Sequence, residues 1–228
     1  MAQGLSASTL FLSLAGGFIP SLFWLWFWLK EDRQPEPKNL LIAVFIGGIL
    51  MVPAAMAMEY LILYSGISAS ATLLAWAFIE EFVKFWIVKR IAFSNKAFDE
   101  PVDAIIYMIT AALGFASLEN TLFMIKTFNE SGLLSSIGVG NTRFIGATLL
   151  HTASSAIIGA MIAFSFNKKS RRKMAFLGLI MAGALHFFFN KLILTSRDGN
   201  ILRALIPIWL IVIALIFLME KIKRRQTR

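Results

Sequence analysis

The sequence predicts an all-α fold: a polytopic helix bundle in a membrane, with about seven transmembrane helices, the N-terminus outside and the C-terminus cytoplasmic. Three observations carry this expectation. Of 228 residues, 58% are hydrophobic and only 15% are charged, which is too apolar for a soluble domain of ordinary composition. The apolar residues come in runs of roughly 20 or more, the helical length that crosses a bilayer. The basic residues gather in every second connecting segment, the asymmetry that sets membrane orientation.

The runs are Leu5 to Leu29, Leu40 to Tyr64, Ala71 to Val88, Val102 to Ile125, Phe144 to Phe166, Met174 to Leu194 and Ile201 to Met219. They lack the alternation of a membrane barrel, and in lipid each backbone polar group must be satisfied within its own segment, so each run is expected as a helix. The first run is too long for the apolar region of a cleaved signal peptide and has no basic residue before it, so it is expected as a retained span. Trp24, Trp26 and Trp28, just before Lys30, predict an interfacial aromatic belt. Asp99, Glu100 and Asp103 around Pro101 predict a capped helix start. The longest connector, Lys126 to Thr142 (KTFNESGLLSSIGVGNT), is rich in glycine and serine and is expected as an outer loop. No internal repeat or separate soluble domain is visible, so the chain reads as one membrane-embedded domain, 1–228, with its core at about 71–194. Cysteine is absent, which excludes disulfides and thiolate metal sites.

Lys30, Arg33 and Lys38 lie in the first connector, Lys89, Arg90 and Lys96 in the third, and a cluster from Lys168 to Lys173 in the fifth; the tail from Lys221 onward is also basic. These segments are expected on the cytoplasmic side. The net charge of +9 is then mostly topology, and KKSRRK and KIKRRQTR are expected to bind anionic lipid rather than nucleic acid. The localisation expected from this is a cell membrane, crossed in multiple passes.

Against that background, the polar residues deep inside the runs are costly and need a purpose. They are Glu80, Glu81 and Lys84 in the third run, Glu119 in the fourth, His151 in the fifth, and His186 with Asn190 in the sixth. At 1.5 Å per residue, Glu80, Glu119, His151 and His186 all fall roughly 9 to 14 Å below the outer surface. Glu80 and Lys84, Phe115 and Glu119, His151 and Ser155, and His186 and Asn190 are each four apart, so each helix turns a short polar stripe to one face. Four helices offering polar groups in one layer predict one common site. Ser155 and Gly159 are expected to allow close helix packing.

Imidazoles with carboxylates suit zinc with one open position, beside a glutamate that takes a proton from water and passes it to a leaving amine: the chemistry of a peptide hydrolase. A metal-free arrangement, in which Glu and His activate water together, fits the same residues. The HExxH motif is absent, so any ligands come from separate helices.

EEFVK (Glu80 to Lys84), DEPVD (Asp99 to Asp103), GFASLEN (Gly114 to Asn120), His151 and HFFFN (His186 to Asn190) together resemble the PrsW family of intramembrane proteases. The family is distantly similar to the type II CAAX prenyl endopeptidases, from whose pattern this chain departs at Lys84 and Glu119. The resemblance implies a site-1 protease for a single-pass membrane protein such as an anti-sigma factor, and an active centre of Glu80, Glu81, Glu119, His151 and His186. On that basis Glu119, His151 and His186 are expected as zinc ligands. Glu80 and Glu81 supply the base, with the choice between them open, Lys84 holds one carboxylate ionised, and Asn190 orients His186 or donates to the oxyanion. The alternative reading of the same cluster is a proton- or cation-coupled carrier, although no inverted repeat supports it. Glu59, near the outer end of the second run, is expected at the interface, where it could line a path to the site.

Overall fold

The computed structural model describes residues 6–195 and 202–226. Among them there are helices only: α1 (Ala7–Leu29), α2 (Lys38–Leu63), α3 (Ala69–Ile91), α4 (Pro101–Ile145), α5 (Ala147–Ala163), α6 (Arg171–Thr195) and α7 (Leu202–Gln226). Ser6 and Ser68 cap α1 and α3 by accepting from the backbone N–H groups of Thr9 and Ala71. Pro101 is the first residue of α4, and Asp103 Oδ2 accepts from the backbone N–H groups of Asp99 and Glu100 at 2.9 and 2.7 Å, so DEPVD is a capped start as expected.

Five helices, α1, α2, α4, α6 and α7, are long and apolar enough to cross a membrane. The remaining two fall short for separate reasons. α3 carries Glu80, Glu81, Lys84, Lys89 and Arg90, and α5 is only 17 residues long. Both contribute to the polar centre described below.

One expectation is corrected. Lys126 to Thr142 is not a loop but part of a helical hairpin. The only non-helical residue within α4 is Gly132, at φ 82° and ψ −177°, a conformation that glycine adopts without strain. There α4 reverses, and the returning arm, residues 133–145, runs back along the outgoing one: Ser136 Oγ donates to the Met124 carbonyl at 3.0 Å, and Arg143 reaches Asn120. Gly146 then leads directly into α5. A second expectation is only partly met: Trp26 faces outward beneath the Lys30 ammonium, but Trp24 and Trp28 are buried in the bundle.

α4 is the central post. Every residue from Val102 to Ser117 is buried, with α1, α2 and α5 packed against it. Lipid tails are as apolar as leucine, so close packing rather than hydrophobic exclusion must hold such helices together, and small residues mark the contacts. A Cβ on Gly48 would collide with the Ala111 carbonyl, one on Gly114 with the Phe45 carbonyl, and one on Gly17 with the Ser117 carbonyl. Gly159 likewise sets α5 against Ala104 and Ile105, as its place in the small-residue pair predicts.

Candidate active site

The polar stripes of α3, α4, α5 and α6 meet. Glu81 is fully enclosed and accepts from three sides: Lys84 Nζ at 2.8 Å, Ser155 Oγ at 2.8 Å and His186 Nδ1 at 3.0 Å. Lys84, equally buried, also reaches Glu80 Oε2 at 3.5 Å and donates to His151 Nδ1 at 2.7 Å, with its ammonium 4.4 Å from the Phe115 ring centroid. The apparent cost of a buried lysine is thus offset by two carboxylates, an imidazole and an aromatic face.

His151 uses its other nitrogen on Glu119. With Nδ1 accepting from Lys84, Nε2–H donates to Glu119 Oε2 at 2.7 Å. The same carboxylate oxygen pairs with Arg143 at 2.9 Å, and Arg143 Nε donates to Asn120 Oδ1 at 2.6 Å while the guanidinium stacks 3.9 Å from the Phe123 centroid. Asn120 in turn donates to Thr148 Oγ1 at 2.9 Å. The returning arm of the hairpin is therefore pinned to α4 and α5 beside the histidine. Arg143, one residue past the stretch expected as an outer loop, is part of the centre.

His151 and His186 stand edge to face, 5.1 Å between ring centroids, and Glu80 Oε2 lies 3.8 Å from His151 Nδ1 and 3.8 Å from His186 Nε2. Among the described residues, Glu80, His151 and His186 are the set whose donor atoms come close enough to share a metal ion, all within 4.8 Å of one another. Two imidazoles and one carboxylate form the three-ligand set of a catalytic zinc site. The residues behind them fit that role: Nδ1 of His186 is held by Glu81 and Nε2 of His151 by Glu119, the carboxylate–histidine arrangement that fixes tautomer and ring orientation. Glu119, expected from the sequence as a ligand, instead lies on the far nitrogen of His151. Asn190 is half-buried and makes no hydrogen bond among the described residues; the orientation of His186 comes from Glu81. The accessible side of the centre is formed by Glu80, Glu119 and Arg143, whose side chains are 11%, 21% and 16% exposed, against 2% or less for Glu81, Lys84 and both histidines.

A membrane helix bundle that closes a buried glutamate/histidine centre around one accessible edge has the architecture of an intramembrane hydrolase. Residues 36–219 match the family of PrsW intramembrane metalloproteases, and the chain belongs to that family. A Protease PrsW from Geobacillus kaustophilus is 30% identical over 197 residues, covering 82% of each chain. The Bacillus subtilis Protease PrsW is 27% identical over 200 residues, 83% of this chain and 86% of the relative, and that of Clostridioides difficile 31% over 175 residues, 72% of each. No solved structure matches the chain. The protein is thus a multi-pass membrane protease, and the carrier alternative gives way.

Proposed function

We propose that this protein is a zinc-dependent endopeptidase that cleaves a single-pass membrane protein, an anti-sigma factor being the fitting class, at the extracytoplasmic side of the substrate's span. The observation that carries the reading is the convergence of Glu80, His151 and His186 from three helices, each histidine backed by a different carboxylate. Zinc held there would supply Lewis-acid polarisation of the scissile carbonyl and an acidified water. Loading it requires Lys84 to give up His151 Nδ1, and Glu81 then retains the ammonium.

The chain's own residues divide the remaining work. Glu80 faces both histidines through Oε2. Its Oε1 is then available to take a proton from the attacking water and return it to the amide nitrogen as the C–N bond breaks, giving a carboxylic acid and an amine. Glu81, closed in by three donors, positions His186 and Lys84 rather than exchanging protons with solvent. Asn190, one turn beyond His186, is assigned to the oxyanion.

The test is cleavage of a single-pass reporter in vesicles. Wild type cleaves it, carries close to one zinc per chain and loses activity to a permeant chelator, while Glu80→Ala, His151→Ala and His186→Ala insert normally and do not cleave. Full activity in metal-free enzyme would replace the zinc scheme with water activation by Glu80 and His151.

A further inference from the structure

Glu59 is the only acid in α2, and the scheme above leaves it unused. It is half-buried near the outer end of the helix. Its backbone carbonyl accepts from Trp76 Nε1 at 3.2 Å, and Trp76 stands four residues before Glu80 on α3, so Glu59 sits about 6 Å outward of the catalytic carboxylate at 1.5 Å per residue. Its carboxylate is within electrostatic reach of Glu80, Glu119, Lys84 and His186. Among the described residues no hydrogen bond or ion pair reaches that carboxylate. The two cations of the centre are already engaged, Lys84 by Glu80 and Glu81 and Arg143 by Glu119. A half-buried carboxylate beside other acids and without an ion pair of its own is costly for a membrane helix to keep, and intramembrane acids are retained where they meet a cation or a moving ligand.

We propose that Glu59 is a specificity determinant that receives a lysine or arginine of the substrate. An extended peptide advances about 3.3 Å per residue, so a separation of about 6 Å places the basic residue about two residues from the scissile bond, on the side nearer the outer end of α2. The inference rests on the proteolytic reading of the centre. Among the described residues no hydrogen bond or ion pair links Glu59 to the histidines or to Glu80, so it acts on substrate selection and not on the bond being broken.

The experiment uses single-pass reporters in which the second and third residues on either side of the mapped cut are varied among Lys, Gln and Glu, assayed in vesicles with wild type, Glu59→Gln and Glu59→Lys. Wild type should favour Lys over Glu by roughly tenfold or more in kcat/KM at one of these positions, the scale of a partly desolvated charge pair. Glu59→Gln should level that preference and Glu59→Lys should reverse it. If the lysine variant does not insert, the near-isosteric glutamine variant still decides. A wild type indifferent to charge at all four positions, a preference that survives in Glu59→Gln, or an equal loss on every reporter would overturn the proposal. A wild type that cuts none of the reporters would instead overturn the proteolytic reading, and this proposal with it.

Discussion

Glu80 and Glu81 are neighbours in sequence with opposite surroundings, and the difference predicts opposite phenotypes. Glu81→Gln removes the negative charge 2.8 Å from a fully buried lysine, and breaking a buried ion pair from one side costs about 3–5 kcal/mol. The variant should therefore melt well below wild type and be inactive. Adding Lys84→Met removes the stranded charge, so the double variant should regain most of the melting temperature and none of the cleavage. Glu80→Gln should melt like wild type and be just as inactive, because Glu80 lies at the accessible edge. Equal melting of the two single variants would contradict the assignment of Glu81 as the positioning carboxylate. Arg143→Gln frees Glu119 from its second partner and loosens His151; if His151 holds zinc as proposed, zinc affinity should fall by about tenfold or more, as for outer partners of metal-bound histidines in general.

At the scale of the helices, the hairpin is the feature the sequence concealed. Glycine and serine between two apolar runs normally signal a loop, and here that composition belongs to the tip of a long helix and to the short helical arm that returns from it at Gly132. Reflecting the chain about Gly132 sets residue 143 opposite residue 121, within a turn of Glu119; a reading that took Gly132 as the sole break would have found Arg143. By contrast, the stripes of Glu80 and Lys84, Phe115 and Glu119, and His151 and Ser155 were legible, because four-residue spacing depends only on local helix geometry. Which nitrogen of each histidine faces which carboxylate was not, since helix rotation and tilt are set by packing, at glycines such as Gly48 and Gly114. Two predictions belong here. Gly132→Ala forces a side chain into positive φ at a cost of about 1–3 kcal/mol, and should lower activity by loosening the arm that carries Arg143. Gly114→Val drives a branched side chain into the Phe45 carbonyl and should separate α2 from α4, seen as loss of folded protein in detergent.

For the whole molecule, orientation decides where the substrate is cut. The basic residues at Lys30 to Lys38, Lys89 to Lys96 and Lys168 to Lys173 fall at or just beyond the ends of α1, α3 and α5; by the positive-inside rule these ends are expected in the cytoplasm and Gly132, at the tip of the hairpin, outside. Glu119 then lies 13 residues, roughly 20 Å at 1.5 Å per residue, below that tip, while Glu80 is 11 residues, roughly 16 Å, below the outer start of α3 at Ala69. Arg143, part of the accessible edge with Glu80 and Glu119, is carried by the returning arm of the hairpin. His186 lies nine residues from the far end of α6 at Thr195 and fifteen from its basic start at Arg171, so water and an unwound stretch of substrate are expected to enter from the extracytoplasmic side. The expected product is a membrane-bound remnant whose new terminus lies just outside, or in the outer part of, the substrate's own span. Mass spectrometry of the reporter termini measures this directly, and cysteine labelling at position 132 and in the 168–173 connector from either face of sealed vesicles measures the orientation independently. Labelling of position 132 only from the cytoplasmic face would invert the topology, whereas the expected labelling together with a cut in the cytoplasmic half of the span would keep the topology and overturn the route of entry.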